Sequence, residues 1–130
     1  PKGVLGTHGA MAAYAAGKAQ DEGLGPGARV ALVSSFTFDP FWGDFFACLL
    51  SGATLCLAPR RSILGDLAGV LRGTGATHVC ATPALFSLLG NSGGLPELPE
   101  LKNVTLGGEA MPQAMVDAWA ARVELRNVYG

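Results

Sequence analysis

At 130 residues with a formal net charge of −1, the chain has the length of one domain and no charge excess to draw it to nucleic acid or an anionic membrane. Its nine Lys and Arg residues are scattered, and no apolar run nears the ~18 residues of a membrane span, because Asp44 interrupts the longest candidate. A content of 49% hydrophobic against 15% charged residues, with mean hydropathy +0.34, is apolar for a small autonomous domain, so part of its surface is expected to rest against further chain.

In chain order, Val4 to Thr7 reads as a short strand, and the Ala-rich run from Gly9 to Ala19, with Met11 and Tyr14 at helical spacing, as a helix beginning after His8. Asp21 to Gly27 is turn chemistry. Arg29 to Ser34 is a short apolar run bounded by turn residues, the pattern of a buried strand. Phe41 to Leu50 carries a broad apolar face and stops at Ser51-Gly52, a core helix closed by glycine. Ala53 to Leu57 is the next strand. Ile63, Leu64, Leu67, Val70 and Leu71 predict one helix lying on a sheet. Ala76 to Ala81 is strand-like, Pro83 to Leu89 a helix opened by proline, and Asn91 to Pro99 a loop. Val104 to Leu106, Pro112 to Ala121 and Val123 to Val128 complete the series as strand, helix and strand.

Alternating strands and helices with mostly apolar strands predict an α/β fold, a mostly parallel sheet with flanking helices. Such sheets bind ligands at the carboxyl ends of their strands, which directs attention to Phe36 to Pro40, Cys80 to Pro83, Gly107 to Glu109, and Tyr129. In Leu106-Gly107-Gly108-Glu109-Ala110-Met111 a strand runs into two glycines and then a Pro112-led helix, exposing backbone N–H groups at a turn. If the two last strands are parallel neighbours, Tyr129 stands beside the glycine pair, an aromatic wall next to a glycine floor. Taken alone, the glycines could equally serve only the turn.

Asp39 lies among Phe36, Phe38, Pro40, Phe41 and Trp42. A carboxylate there is costly to bury unless it meets a cation. It also precedes Pro40 at the expected start of a helix, where an N-cap role would explain it. The residues themselves leave both open. Cys48, Cys56 and Cys80 are odd in number and set in apolar runs, which predicts buried reduced thiols and a cytoplasmic setting. His8 and His78 have no metal-ligand spacing with them.

Read together, Pro1-Lys2-Gly3-Val4, Phe38-Asp39, Leu106-Gly107-Gly108-Glu109 and Asn127-Val128-Tyr129-Gly130 resemble, in order and interval, motifs of the adenylate-forming enzyme superfamily. The resemblance is to the amino-acid-activating adenylation (AMP-binding) domains of nonribosomal peptide synthetases. It implies that residues 1–130 are an internal part, truncated at both ends, of such a domain's large N-terminal lobe. The implied reaction uses ATP to make an aminoacyl-AMP, then loads the acyl group onto the phosphopantetheine of a partner carrier protein, with condensation domains in the same synthetase. Mg2+ is implied too, with its ligands outside these residues, as is the catalytic lysine of the small C-terminal lobe; the 130 residues alone are expected to be inactive.

By the same resemblance Lys2 and Gly3 lie in the loop over the phosphates, and Gly108, Glu109, Asn127, Tyr129 and Gly130 border the nucleotide. Asp39 holds the α-ammonium of the amino acid, while Pro40, Gly43, Cys80, Thr105, Gly107 and Val128 line its side-chain pocket. Gly43 stands where a large aromatic is common in the family, and Phe41 where a small polar residue is usual. If the register holds, Gly43 and Gly107 leave room for a bulky, mainly apolar amino acid. The alternatives are an acyl- or aryl-CoA ligase of the same superfamily, which does not need Asp39, and a non-catalytic α/β binding module. A dinucleotide site and an esterase are disfavoured, since Gly-x-Gly-x-x-Gly is absent and the one Gly-x-Ser-x-Gly match, Gly90 to Gly94, follows a predicted helix into a loop and is no strand-to-helix elbow.

Overall fold

The computed structural model describes residues 2–90 and 94–129. Its five strands are β1 (Arg29–Ala31), β2 (Thr54–Cys56), β3 (His78–Ala81), β4 (Asn103–Gly107) and β5 (Glu124–Val128). They form one parallel sheet in the order β2-β1-β3-β4-β5. The helices are α1 (His8–Asp21), α2 (Asp39–Ser51), α3 (Arg60–Gly65), α4 (Leu67–Thr74), α5 (Pro83–Phe86), continued by a 3-10 turn over Ser87–Gly90, and α6 (Gln113–Trp119). The expected α/β architecture is therefore the observed one.

Because side chains alternate across a strand, the sheet has two unlike faces. Ala31, Val79, Ala81, Val104 and Leu106 point into an apolar core with Ile63, Leu67, Leu71, Phe86 and Trp119 from α3 to α6. Phe86 and Trp119 pack with ring centroids 4.9 Å apart. The alternate residues His78, Cys80 and Thr105 are buried on the other side, where α1 and α2 pack on one another. That second face carries the polar groups.

Three expected elements differ. Val4 to Thr7 is not a strand; Val4 and Leu5 are 99% and 95% exposed, with no strand beside them among the described residues. A strand without a partner has unpaired backbone groups and no reason to persist. The single helix expected across Ile63 to Leu71 is two, because Asp66 leaves helical geometry (φ −154°, ψ 72°) and its carboxylate accepts from the Gly69 N–H at 2.8 Å. That side-chain bond caps α4, an interaction worth about 1 kcal/mol, and periodicity alone does not see it. The helix after Pro83 is a single α-turn finished by the 3-10 turn. By contrast Gly52 closes α2 in the left-handed conformation (φ 75°), as its position after the apolar run predicts. In the Asn91 to Pro99 loop, residues 91–93 lie outside the described residues and 94–99 form no helix or strand.

Candidate functional site

The carboxyl edge of the sheet gathers the chain segments singled out by the sequence. Leaving β1, the backbone passes Phe36 and Phe38, both largely exposed, and the Phe36 carbonyl accepts from Trp42 Nε1 at 3.0 Å. Helix α2 then begins with Phe38 as its N-cap, Asp39 as its first residue and Pro40 as its second. The capping alternative for Asp39 is thus corrected: its carboxylate is one position too late to cap. It is exposed and accepts no hydrogen bond among the described residues. What remains to it locally is the favourable field of a helix N-terminus.

Leaving β3, Thr82 Oγ1 caps α5 by accepting from Leu85 N at 3.2 Å, and Ala84 N donates to Glu109 Oε2 at 3.1 Å. Glu109 therefore ties the exit of β4 to the exit of β3. Between them Gly108 has φ 82°, a conformation that a side-chain-bearing residue rarely adopts. At Gly107, which pairs with Val128, an added Cβ would lie 2.7 Å from the Val128 carbonyl oxygen and 2.9 Å from its Cγ2. The parallel register sets Tyr129 next to Gly108, as expected from the sequence, and the residue is 96% exposed. Asn127 and Val128 are exposed on the same edge strand, Lys2 and Gly3 are exposed in the segment before α1, and Gly130 lies outside the described residues.

The second face of the sheet holds what the sequence reading missed. Tyr14 and Lys18 of α1 and its C-cap Glu22 recur every fourth residue, on the side that meets α2 and the sheet. Lys18 Nζ lies 2.7 Å from Glu22 Oε1 and 3.1 Å from Asp44 Oδ1, and Thr105 Oγ1 donates to Glu22 Oε1 at 3.2 Å. Asp44 is 0% exposed, and neither of its oxygens has a well-angled hydrogen-bond donor among the described residues. Burial pushes its carboxyl up to about 6, against the pull of Lys18. Burial likewise works against the Lys18 ammonium, but Asp44 and Glu22 outweigh it and hold its pKa above the ordinary lysine value. Cys80 and Cys48 are both pushed up to about 12, chiefly by burial with Asp44 adding. Both thiols keep their protons at neutral pH, which suits wall residues and not nucleophiles.

Two of the expected openings are filled. A Cβ on Gly43 would lie 2.9 Å from Tyr14 Cε1 and 3.0 Å from its hydroxyl oxygen, so the Tyr14 ring takes the space. At Gly107 the backbone of β5 does the same. Neither glycine therefore leaves its own Cβ position open, because a missing Cβ shows that space is available at one residue and not which neighbour uses it. The pocket positions Thr105 and Cys80 also stand near a buried charge cluster. Its one sequence signal was Asp44 inside an otherwise apolar helix, coupled to the four-residue spacing of α1.

A cleft of about 420 Å³ opens at the opposite, amino-terminal edge and is lined by Asp21, Glu22, Thr77, His78, Asn103 and Arg126 among others. Several of its polar groups lie against one another. His78 meets Thr77 Oγ1 at 2.6 Å, the Glu22 carbonyl at 3.0 Å and Asn103 Nδ2 at 3.0 Å, and Arg126 pairs with Asp21 and Glu124. Burial lowers the His78 pKa and favours the neutral ring. No group of three or more His, Cys, Asp or Glu that could hold a metal occurs among the described residues. No described helix is long and apolar enough to cross a membrane.

A parallel sheet with glycine turns and an exposed aromatic at its carboxyl edge has the form of a nucleotide-binding α/β domain, and comparison with known proteins names the class. The chain superposes on the N-terminal domain of FACL13 from Mycobacterium tuberculosis with a TM-score of 0.82 at 20% identity, covering all of this chain and 33% of that one, a likeness of fold. The AMP-binding enzyme family model matches residues 1–130, and the chain belongs to that family, whose members use ATP. It is 40% identical over 131 residues to the nonribosomal peptide synthetase sidE of Aspergillus fumigatus, covering the whole chain and 6% of that protein. The nonribosomal peptide synthetase FmoA3, solved in an AMPPNP-bound form, matches with a TM-score of 0.80 at 25% identity over 99% of this chain and 14% of that one. The chain thus spans a small part of the relatives it matches and is related to their adenylation domains.

Proposed function

We propose that residues 1–130 form part of one adenylation domain that activates an α-amino acid for nonribosomal peptide synthesis. In this reaction a carboxylate oxygen of the amino acid attacks the α-phosphorus of ATP. An O–P bond forms, the bond to the β-phosphate oxygen breaks, and pyrophosphate leaves with its electron pair. A phosphopantetheine thiol on a carrier protein then displaces AMP from the acyl carbon. The domain acts by positioning the two reactants and compensating charge.

The observation that carries this reading is the β4–β5 register, with Tyr129 exposed beside Gly108. Tyr129 supplies a stacking face for adenine, Gly108 and Glu109 border it, and Asn127 has both the donor and the acceptor that an adenine edge requires. Gly130 continues this motif, and Lys2 and Gly3 attend the phosphates. Asp39 receives the substrate ammonium, and Pro40, Gly43, Cys80, Thr105, Gly107 and Val128 surround its side chain. Mg2+ takes its ligands from outside the chain, the carrier protein and condensation domains are the partners, and the setting is cytoplasmic.

The test is ATP–pyrophosphate exchange by the full-length protein that carries this sequence, over a panel of amino acids and their deaminated analogues. Exchange driven by an amino acid and not by its deaminated form supports the reading. Exchange driven equally by both moves the protein to the acid-CoA ligases. Tyr129→Ala is expected to raise KM for ATP by about tenfold, since stacking a base on an aromatic ring is worth roughly 1–3 kcal/mol. An unchanged KM would remove Tyr129 from the nucleotide site.

A further inference from the structure

Asp39 and Gly43 lie one turn apart on α2, hence on the same side of the helix and about 6 Å apart along its axis. An amino acid held through its ammonium at Asp39 would extend its side chain along that surface towards Gly43. There the Tyr14 ring of α1 stands, its edge and its hydroxyl within 3.0 Å of the Cβ that Gly43 lacks. On the sheet side the surface is closed by Cys80 and Thr105, register partners on β3 and β4 and both buried. Behind Tyr14, one turn further along α1, Lys18 bridges Glu22 and Asp44, so the ring separates the substrate side chain from buried charge.

We propose that Tyr14 is a specificity-determining residue of the amino-acid pocket, its ring taking the place of the side chain that Gly43 lacks and limiting how far a substrate side chain extends along α2. This rests on the amino-acid-activation reading above. The opening that a glycine creates in α2 is used by an aromatic from the neighbouring helix, so the limit is set by a residue remote in sequence from the other pocket positions. Tyr14 is 54% exposed, and its truncation removes little of the core.

The experiment is pyrophosphate exchange with the full-length protein, wild type and variants, over amino acids graded from glycine to tryptophan and over deaminated acids of matching side chains. Wild type is expected to show an upper size limit along the series. Tyr14→Ala is expected to move the optimum to larger side chains, with kcat/KM for those substrates rising about tenfold or more, because a single methylene's misfit in such a pocket changes selectivity by roughly 10- to 200-fold. Tyr14→Phe keeps the ring and should keep the wild-type size order. Adding Gly43→Leu to Tyr14→Ala refills the same space and should restore the wild-type size order.

A size order that Tyr14→Ala leaves unchanged overturns the proposal. If deaminated acids drive exchange as well as amino acids but show the same Tyr14-dependent size limit, the amine-binding reading fails and the size limit stands. Exchange with no acid in either panel overturns both.

Discussion

Asp39→Ala is expected to lower kcat/KM for amino-acid-dependent pyrophosphate exchange by several hundredfold or more, while leaving exchange with any deaminated acid untouched. The magnitude decides between two roles. Losing one partner of an ion pair shielded from water costs about 3–5 kcal/mol, and each ~1.4 kcal/mol is tenfold in rate. A carboxylate that stays in water and only favours a helix N-terminus contributes about 0.3–1 kcal/mol. Asp39 is exposed at the first residue of α2 and takes no hydrogen bond among the described residues. The larger loss therefore requires that bound substrate and surrounding chain exclude water from it. A decrease below tenfold, equal for amino acids and deaminated acids, would return Asp39 to a charge in the first turn of a helix.

The second large effect is on stability. Lys18→Met is expected to destabilise the fold by about 3–5 kcal/mol at neutral pH, since it leaves the carboxylates of Asp44 and Glu22 facing each other without their cation. Glu22 also accepts from Thr105, so the loss extends to the sheet. The pH dependence has a definite sign. Burial raises the Asp44 carboxyl to about 6 from an ordinary 3.8, so its protonated form favours the fold.

That contribution is complete below about pH 4 and is lost as pH rises through 6, a change on the order of 3 kcal/mol at 1.36 kcal/mol per pH unit. Lys18, whose pKa is raised, contributes below its ordinary value of 10.5 and loses that contribution only in strong base. Urea unfolding of the full-length protein from pH 4 to 8 should show the Lys18→Met penalty growing with pH. Asp44→Asn should flatten the wild-type decline, and the double variant should recover most of the lost stability. A Lys18→Met penalty equal at pH 4 and pH 8 would mean that Asp44 is not the group left exposed to burial without a counter-charge.

Much of the fold was legible because it rests on local rules. Apolar runs of strand length alternate with helical periodicity, Gly52 stops α2, and Gly107 and Gly108 mark the turn after β4. Parallel strands linked by helices then leave few topologies, and the same logic sets Tyr129 beside Gly108. The break at Asp66 escaped because a side-chain cap competes with helix continuation over a few atoms, whereas periodicity averages over two turns. Val4 and Leu5 looked strand-like because strand character was read from composition, while a strand exists only through its neighbour.

The candidate site divides along the same line. Motif residues at the carboxyl edge, Asp39, Gly107 to Glu109 and Asn127 to Tyr129, could be named from the chain alone, because each sits at the end of an element whose type the sequence encodes locally. What occupies the space beside Gly43, and what balances Asp44, depended on the packing of α1 across α2 and the sheet. Close packing lets one ring from a distant helix fill the room that a glycine leaves, and burial makes a single ammonium the counter-charge of two carboxylates. The sequence by itself determined the fold class, the family and the edge where ligands are expected. Tertiary structure alone decided what fills the space beside Gly43 and what balances Asp44, because volume and charge compensation are properties of neighbours in space and not of neighbours in the chain.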